Sequence, residues 1–145
     1  MRVFLDTNVL ASATATRGLC ADLFREVLLS HHLVVSRPLL DELARALVLK
    51  FGASPEIVED VLGLLQQDTT LAAGGALPEV TLGDKDDLVI LAGAIAGSAE
   101  VFVTGDKAVQ ALRRVGKMQV LSPRQFWERL AGQQVALADA NKPRR

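Results

Sequence analysis

Three short, fully apolar runs, separated by longer stretches of helical spacing, constrain this chain more than any other feature. They are residues 3–5, residues 33–35 of an expected strand at 33–36, and residues 101–103 of one at 100–104, each built of Val, Leu or Phe and followed by a small polar residue. Apolar runs this short, with no polar alternation, suit strands covered on both faces, as in a parallel sheet. A further strand is expected at residues 118–121 and another at 69–73. Between them lie helical patterns. Residues 19–30 place Leu19, Leu23, Phe24, Val27 and Leu28 on one side. Residues 37–50, with Pro38 near the start, turn Leu39, Leu40, Leu43, Leu47 and Val48 inward. Ser54-Pro55 starts a helix running to about residue 67, and residues 74–78 form a loop. Residues 88–97 make a very apolar helix. A helix of one to two turns runs through Leu112, and Ser122 and Gln125 stand at capping-box spacing before the last helix. Strands alternating with helices imply right-handed crossovers and a three-layer α/β/α fold around a central parallel sheet.

The chain has 145 residues, enough for one domain with its own core. We assign residues 1–132 to that domain and 133–145 to a C-terminal tail ending in the basic Asn141-Lys142-Pro143-Arg144-Arg145. The longest apolar stretch, residues 88–99, falls short of the roughly 20 residues that span a bilayer. Asp6 and Asn8 interrupt the N-terminal apolar run, so it does not read as a signal peptide. A lone cysteine, Cys20, forms no internal disulfide, and a cytoplasmic location is expected. Sixteen basic residues nearly balance seventeen acidic ones. Bulk positive charge is therefore not available for gripping a polyanion.

The acids are arranged in a telling order. Asp6 follows the first strand and Asp106 follows a later one, which puts both at the carboxyl edge of the sheet, where open α/β folds bind ligands. Asp87 lies in the first turn of the apolar helix, in phase with Leu91 and Ile95 on the face read as buried. Glu42 borders the apolar stripe of its helix, whereas Asp41 adjoins the polar face with Arg45 and Lys50. Asp84 and Asp86 read as N-terminal caps. Carboxylates gathered in one crevice raise one another's pKa values, and a hard divalent cation relieves the crowding. Such a cation can activate water for in-line displacement at phosphorus. No thiol or histidine cluster competes. His31 and His32 read as solvated residues at a helix end, Cys20 as core, and Trp127 as core or dimer surface.

At this point the chain resembles the PIN-domain ribonucleases of the toxin-antitoxin type that includes the VapC-like toxins. The opening VFLDTNVLAS, the helix LLDELARAL, and the stretch DKDDLVILAGAIAGSAEVFVTGDKAV carry the resemblance, which covers roughly residues 1–130. It implies that Asp6, Glu42, Asp87 and Asp106 are catalytic, metal-binding acids, with Asp87 preferred over Asp86 because it keeps phase with Leu91. It implies that Asn8 and Thr104 orient those carboxylates or water. The implied reaction is Mg²⁺- or Mn²⁺-dependent endonucleolytic hydrolysis of RNA. The implied partners are an RNA substrate, a small antitoxin and a second copy of the chain. Arg17, Arg37, Lys85 and Lys107 are candidate RNA phosphate contacts.

Two other readings are a PIN-like fold kept only for binding RNA or a partner, and a receiver-like phosphoacceptor domain. The receiver reading lacks an adjacent acid pair after the first strand, and its second strand ends in Ser36-Arg37 with no central Asp. A haloacid-dehalogenase-like phosphatase would need an acid at position 8, where Asn stands. Metal-dependent RNA cleavage would favour the nuclease, and labelling by a small phosphodonor the receiver.

Overall fold

The computed structural model describes residues 1–67, 69–73 and 75–140, without the side chains of 137–140. In chain order the elements are β1 (Arg2–Leu5), α1 (Thr7–Ala15), α2 (Leu19–Ser30), β2 (His32–Ser36), α3 (Arg37–Phe51), α4 (Pro55–Leu65) and β3 (Thr70–Ala72). They continue with α5 (Lys85–Ala96), β4 (Val101–Val103), α6 (Lys107–Gln110), β5 (Arg114–Val115), β6 (Met118–Leu121) and α7 (Pro123–Ala140). The strands form a six-stranded sheet in the order β3-β2-β1-β4-β6-β5. Every pairing is parallel except β5–β6. The expected parallel sheet is thus a mostly parallel one, and the exception is an edge strand. A tight turn at Gly116, in the left-handed region at φ +59°, folds β5 back on β6. Two residues are too short for any periodicity to announce them.

The larger surprise is α1. Asp6-Thr7-Asn8 reads as a turn, yet Asp6 is the N-cap of a nine-residue helix, its carboxylate accepting from the Thr7 amide. Thr7–Ala15 mixes strong helix formers (Leu10, Ala11, Ala13, Ala15) with weak ones (Thr7, Asn8, Val9, Ser12, Thr14), so local propensity is divided. Packing against α2 and α3 stabilises the helix. The other helices follow their sequence signals closely. Ser36 caps α3, Ser54 caps α4, and Asp84 caps α5. Gly52, at φ +63°, ends α3. The Ser122–Gln125 capping box forms with both reciprocal bonds.

Some expectations need correction. Val48 and Ile95 are exposed rather than core, at 48% and 41%. The buried side of α5 runs through Ile90, Leu91 and Ala94. His32 is not a solvated end: it opens β2 and its ring bonds the Thr70 hydroxyl. His31 does cap the end of α2. Cys20 and Trp127 are half-buried and pack against the core. Residues 133–140, expected as tail, continue α7, while residues 141–145 lie outside the described residues.

The sheet interior is apolar and buried. Val3, Phe4, Leu5, Val101 and Val103 are fully buried, and Phe4 stacks on Phe102 at 5.2 Å between centroids. Phe4, Val34, Phe102 and Val120 are register partners and so face the same side. On that side α5 lies unusually close to the strands. A Cβ at Gly97 would stand 2.3 Å from Val34 Cγ1, and one at Gly93 would stand 2.8 Å from Ser36 Cβ. Two glycines four residues apart give α5 a smooth face, and that face sets where its first turn projects.

Candidate active site

Chain connectivity places the site. From β1 the chain builds β2 and β3 on one side, then crosses to β4 on the other. The strand order therefore switches between β1 and β4, and such a switch leaves a crevice beyond the carboxyl ends of the two strands. Asp6 follows β1 there, and Thr104 and Asp106 follow β4. The Asp6 amide bonds the Val103 carbonyl at 2.9 Å, so the pairing runs into the crevice itself.

A cavity of about 440 Å³ opens at this point. Asp6, Glu42, Asp87 and Asp106 all line it, drawn from β1, α3, α5 and the β4–α6 turn. One wall is α1, contributing Thr7, Asn8, Ala11 and Ser12 at four-residue spacing. The opposite wall is α3, where Glu42, Ala46 and Lys50 recur every four residues, with Arg45 beside them. Asp41, one position from Glu42, is exposed and does not line the cavity.

Asp6 is the most tightly held acid. It is 7% exposed. Its Oδ1 accepts from the Thr7 amide at 2.8 Å, and its Oδ2 accepts from the Thr104 hydroxyl at 2.7 Å and from Asn8 Nδ2 at 3.4 Å. Thr104 in turn accepts from the Asp106 amide at 3.0 Å, and Asn8 Oδ1 accepts from the Gly105 amide at 2.9 Å. Asn8 and Thr104 therefore tie the ends of β1 and β4 together through Asp6. A side chain on Gly105 would crowd the Asn8 oxygen at 3.1 Å. Asp106 caps α6, with the Ala108 and Val109 amides both on its Oδ1. The Thr7 hydroxyl is buried with no hydrogen-bond partner among the described residues.

The acids disturb one another. Burial pushes the Asp6 carboxyl above its ordinary range, and the charges of Glu42 and Asp106 add to this, while the bonds from Thr104 and Thr7 oppose it. Asp87 is pushed up to about 6, first by burial, then by Asp84, Asp106, Asp6 and Glu42. Below pH 3.8 Asp87 carries a proton in folded and unfolded chains alike and makes no difference to stability. Above about 6 it is charged in both, and the folded state bears the repulsion. Without a bound cation, Asp87→Asn should leave the melting temperature unchanged near pH 4 and raise it increasingly up to about pH 6. Thermal melts across that window at low salt check this, and a flat difference would remove Asp87 from the acidic cluster.

All four acids offer only hard oxygen donors, and no Cys or His lines the cavity. That donor set suits Mg²⁺ or Mn²⁺. Among the described residues no three His, Cys, Asp or Glu stand close enough to ligate one ion by themselves. The donor chemistry thus fits a cation that keeps several of its own waters, as Mg²⁺ does.

The expected phosphate contacts are placed differently. Arg17, Arg37, Lys85 and Lys107 are exposed, and none lines the acidic cavity. Lys107 lines a separate cavity with Gln110 and Arg113. The basic residues of the acidic cavity are Arg45 and Lys50, which sequence reasoning assigned to the polar face of α3. Their spacing from Glu42, three and eight residues, was the available signal.

The fold and this crevice define an α/β protein that carries its polar chemistry at the strand ends of a topological switch point. The sequence profile of the PIN domain matches residues 2–108, and the chain belongs to the PIN-domain family. Solved structures agree on the fold. One is a chain of VapBC2 from Rickettsia felis, from a crystal structure with a DNA fragment of their promoter. It is 17% identical, covers 84% of this chain and 98% of that one, and has a TM-score of 0.60. Another is a chain of VapBC-1 from nontypeable Haemophilus influenzae, at 21% identity, 86% and 99% coverage, and a TM-score of 0.58. Comparison with curated protein sequences returns no significant match. The receiver reading fails on the family match and on strand order, since receiver-like sheets run 2-1-3-4-5.

Proposed function

We propose that the chain is a metal-dependent endoribonuclease, the VapC-like toxin of a toxin-antitoxin pair. The observation that carries the reading is the convergence of Asp6, Glu42, Asp87 and Asp106, from four separate elements, on one cavity at the switch point. Family membership and the VapBC origin of similar structures support it.

Asp6, Glu42, Asp87 and Asp106 would hold Mg²⁺ or Mn²⁺. When bound, the ion supplies Lewis acidity at phosphorus and lowers the pKa of attacking water. The chain's own part is positioning. Thr104, Asn8 and the Thr7 amide hold the Asp6 carboxylate at three points, so it need not reorganise when charge develops nearby. Arg45 and Lys50 stand on the α3 wall that carries Glu42, where cations can draw the scissile phosphate in and balance the acids. The cleft between the walls of α1 and α3 is where the strand would lie.

A small antitoxin and a second copy of the chain are the proposed partners. Val48 and Leu49 on α3, with Leu49 81% exposed, are the kind of apolar surface that a partner covers. No helix among the described residues is long and apolar enough to cross a membrane. We place the protein in the cytoplasm, where its substrate would be.

The test is cleavage of a total-RNA pool by the purified protein, with Mg²⁺ or Mn²⁺ against EDTA. Metal-dependent cutting is the expected result. If there is no cutting in any metal, and calorimetry detects no Mn²⁺ binding, the proposal fails and a binding-only domain is left.

A further inference from the structure

The charge of this chain is nearly balanced, but it is not evenly spread. Between Asp106 and Leu130 stand six basic residues against two acids, in a chain whose net charge is −1. Two of them, Lys107 and Arg113, line a second cavity of about 590 Å³ together with Gln110, Gln125, Ala111, Val120 and Leu121. No acidic residue lines it. Lys107 and Arg113 supply two cations. Gln125 also lines the cavity, and with its Oε1 taken by the Ser122 amide its Nε2 is left as a donor. Gln110 is anchored through its Nε2 to the Thr104 carbonyl, the residue that positions Asp6. The two cavities are therefore joined through one short segment, with Asp106 lining the acidic one and Lys107 the basic one.

Arg113 gives an independent sign. Its φ is +58°, in the left-handed region, where an ordinary side chain costs about 1 kcal/mol and Gly or Asn costs less. The turn is fixed by bonds from the Arg113 amide to the Gln110 carbonyl and from the Val120 amide to the Arg113 carbonyl. The backbone does not need arginine here, and Arg113 lines the cavity despite the conformational cost. Local strain of this kind is concentrated at binding sites.

We propose that this cavity is a backbone-phosphate subsite for the RNA strand leaving the acidic cleft, with Lys107, Arg113 and the Gln125 amide as the donors. The assignment rests on the nuclease reading for the identity of its strand, and it adds where the flanking nucleotides run. A planar guanidinium and an ammonium suit phosphodiester oxygens and carry no base readout, so the subsite adds affinity without sequence preference.

The test is fluorescence anisotropy with a labelled single-stranded RNA of about 12 nucleotides, in the Asp6→Asn background so that the strand stays intact. Asn suits the left-handed conformation, so Arg113→Asn should keep the fold, and its melt verifies this. We expect Arg113→Asn, and separately Lys107→Gln, to weaken binding about tenfold near 0.1 M salt and to lower the salt slope by about one. Arg25→Gln removes the same charge from the exposed face of α2 and should match the parent. If Arg113→Asn and Arg25→Gln behave alike, the subsite is overturned while cleavage by the wild-type chain still upholds the nuclease. If the wild type cuts no RNA in any metal and binds no Mn²⁺, the nuclease reading fails, and the same anisotropy series still decides whether the basic cavity grips a strand.

Discussion

Asp6→Asn should reduce RNA cleavage by more than about 100-fold, which is what the loss of an outer partner of a metal ligand alone can reach. The substitution keeps the shape of the side chain and its capping role, since Asn caps helices as well as Asp does. It removes one of the charges crowded into the cavity and disturbs a hydrogen bond from Thr104 or Thr7. These two effects oppose each other, so the melting temperature should stay within a few degrees of the parent. Activity lost with stability retained would assign Asp6 to the chemistry. Asp106→Asn should behave alike. Asp41→Asn, one residue from Glu42 but outside the cavity, should cleave as the parent does. Comparable metal-dependent cutting by Asp6→Asn would sink the site assignment.

Gly97→Ala should destabilise the fold by about 3 kcal/mol, at the upper end of what overpacking usually costs. The added methyl would lie 2.3 Å from Val34 Cγ1. Val34 is fully buried in the sheet and, being β-branched, has little freedom to turn away. For a chain of this size the melting temperature should drop by about 10 °C. Gly132→Ala is the control, because nothing lies within 4 Å of a Cβ there and the residue sits in α7. It should stabilise by about 0.5–1 kcal/mol, the ordinary gain from replacing a helical glycine. The same substitution would then have opposite signs at the C-cap of α5 and inside α7. If Gly97→Ala is neutral, α5 does not lie as close to β2 as described, and the position of Asp87 would need revision with it.

Much of this fold is legible in the sequence because its signals are local. Ser54, Asp84 and Ser122 announce their helices as caps and Pro38 announces α3, and β1, β2 and β4 are marked by unbroken apolar runs. The four acids could be grouped because strand ends in an open α/β sheet share an edge, and because the PIN resemblance supplied their order. What escaped depends on tertiary packing. α1 is short and of divided helix propensity, opening on three polar residues after a strand, and is held by α2 and α3. Ile95 keeps the phase of Asp87 and Leu91, yet at the end of α5 it has turned out to solvent, leaving Ala94 to pack. Arg45 and Lys50 looked like a solvated face because nothing near them in sequence says that α1 stands opposite.

The switch between β1 and β4 also sets when the cleft can exist. Asp6 and Asp106 are 100 positions apart, and the Thr104 bond that fixes Asp6 comes from the end of a strand that leaves the ribosome only after β1, β2 and β3. A growing chain thus carries its first acid for most of its synthesis without the partners that orient it. For a protein proposed to cut RNA while being made on an RNA machine, the order of its strands is a delay: the cutting site closes only when about three-quarters of the chain is out.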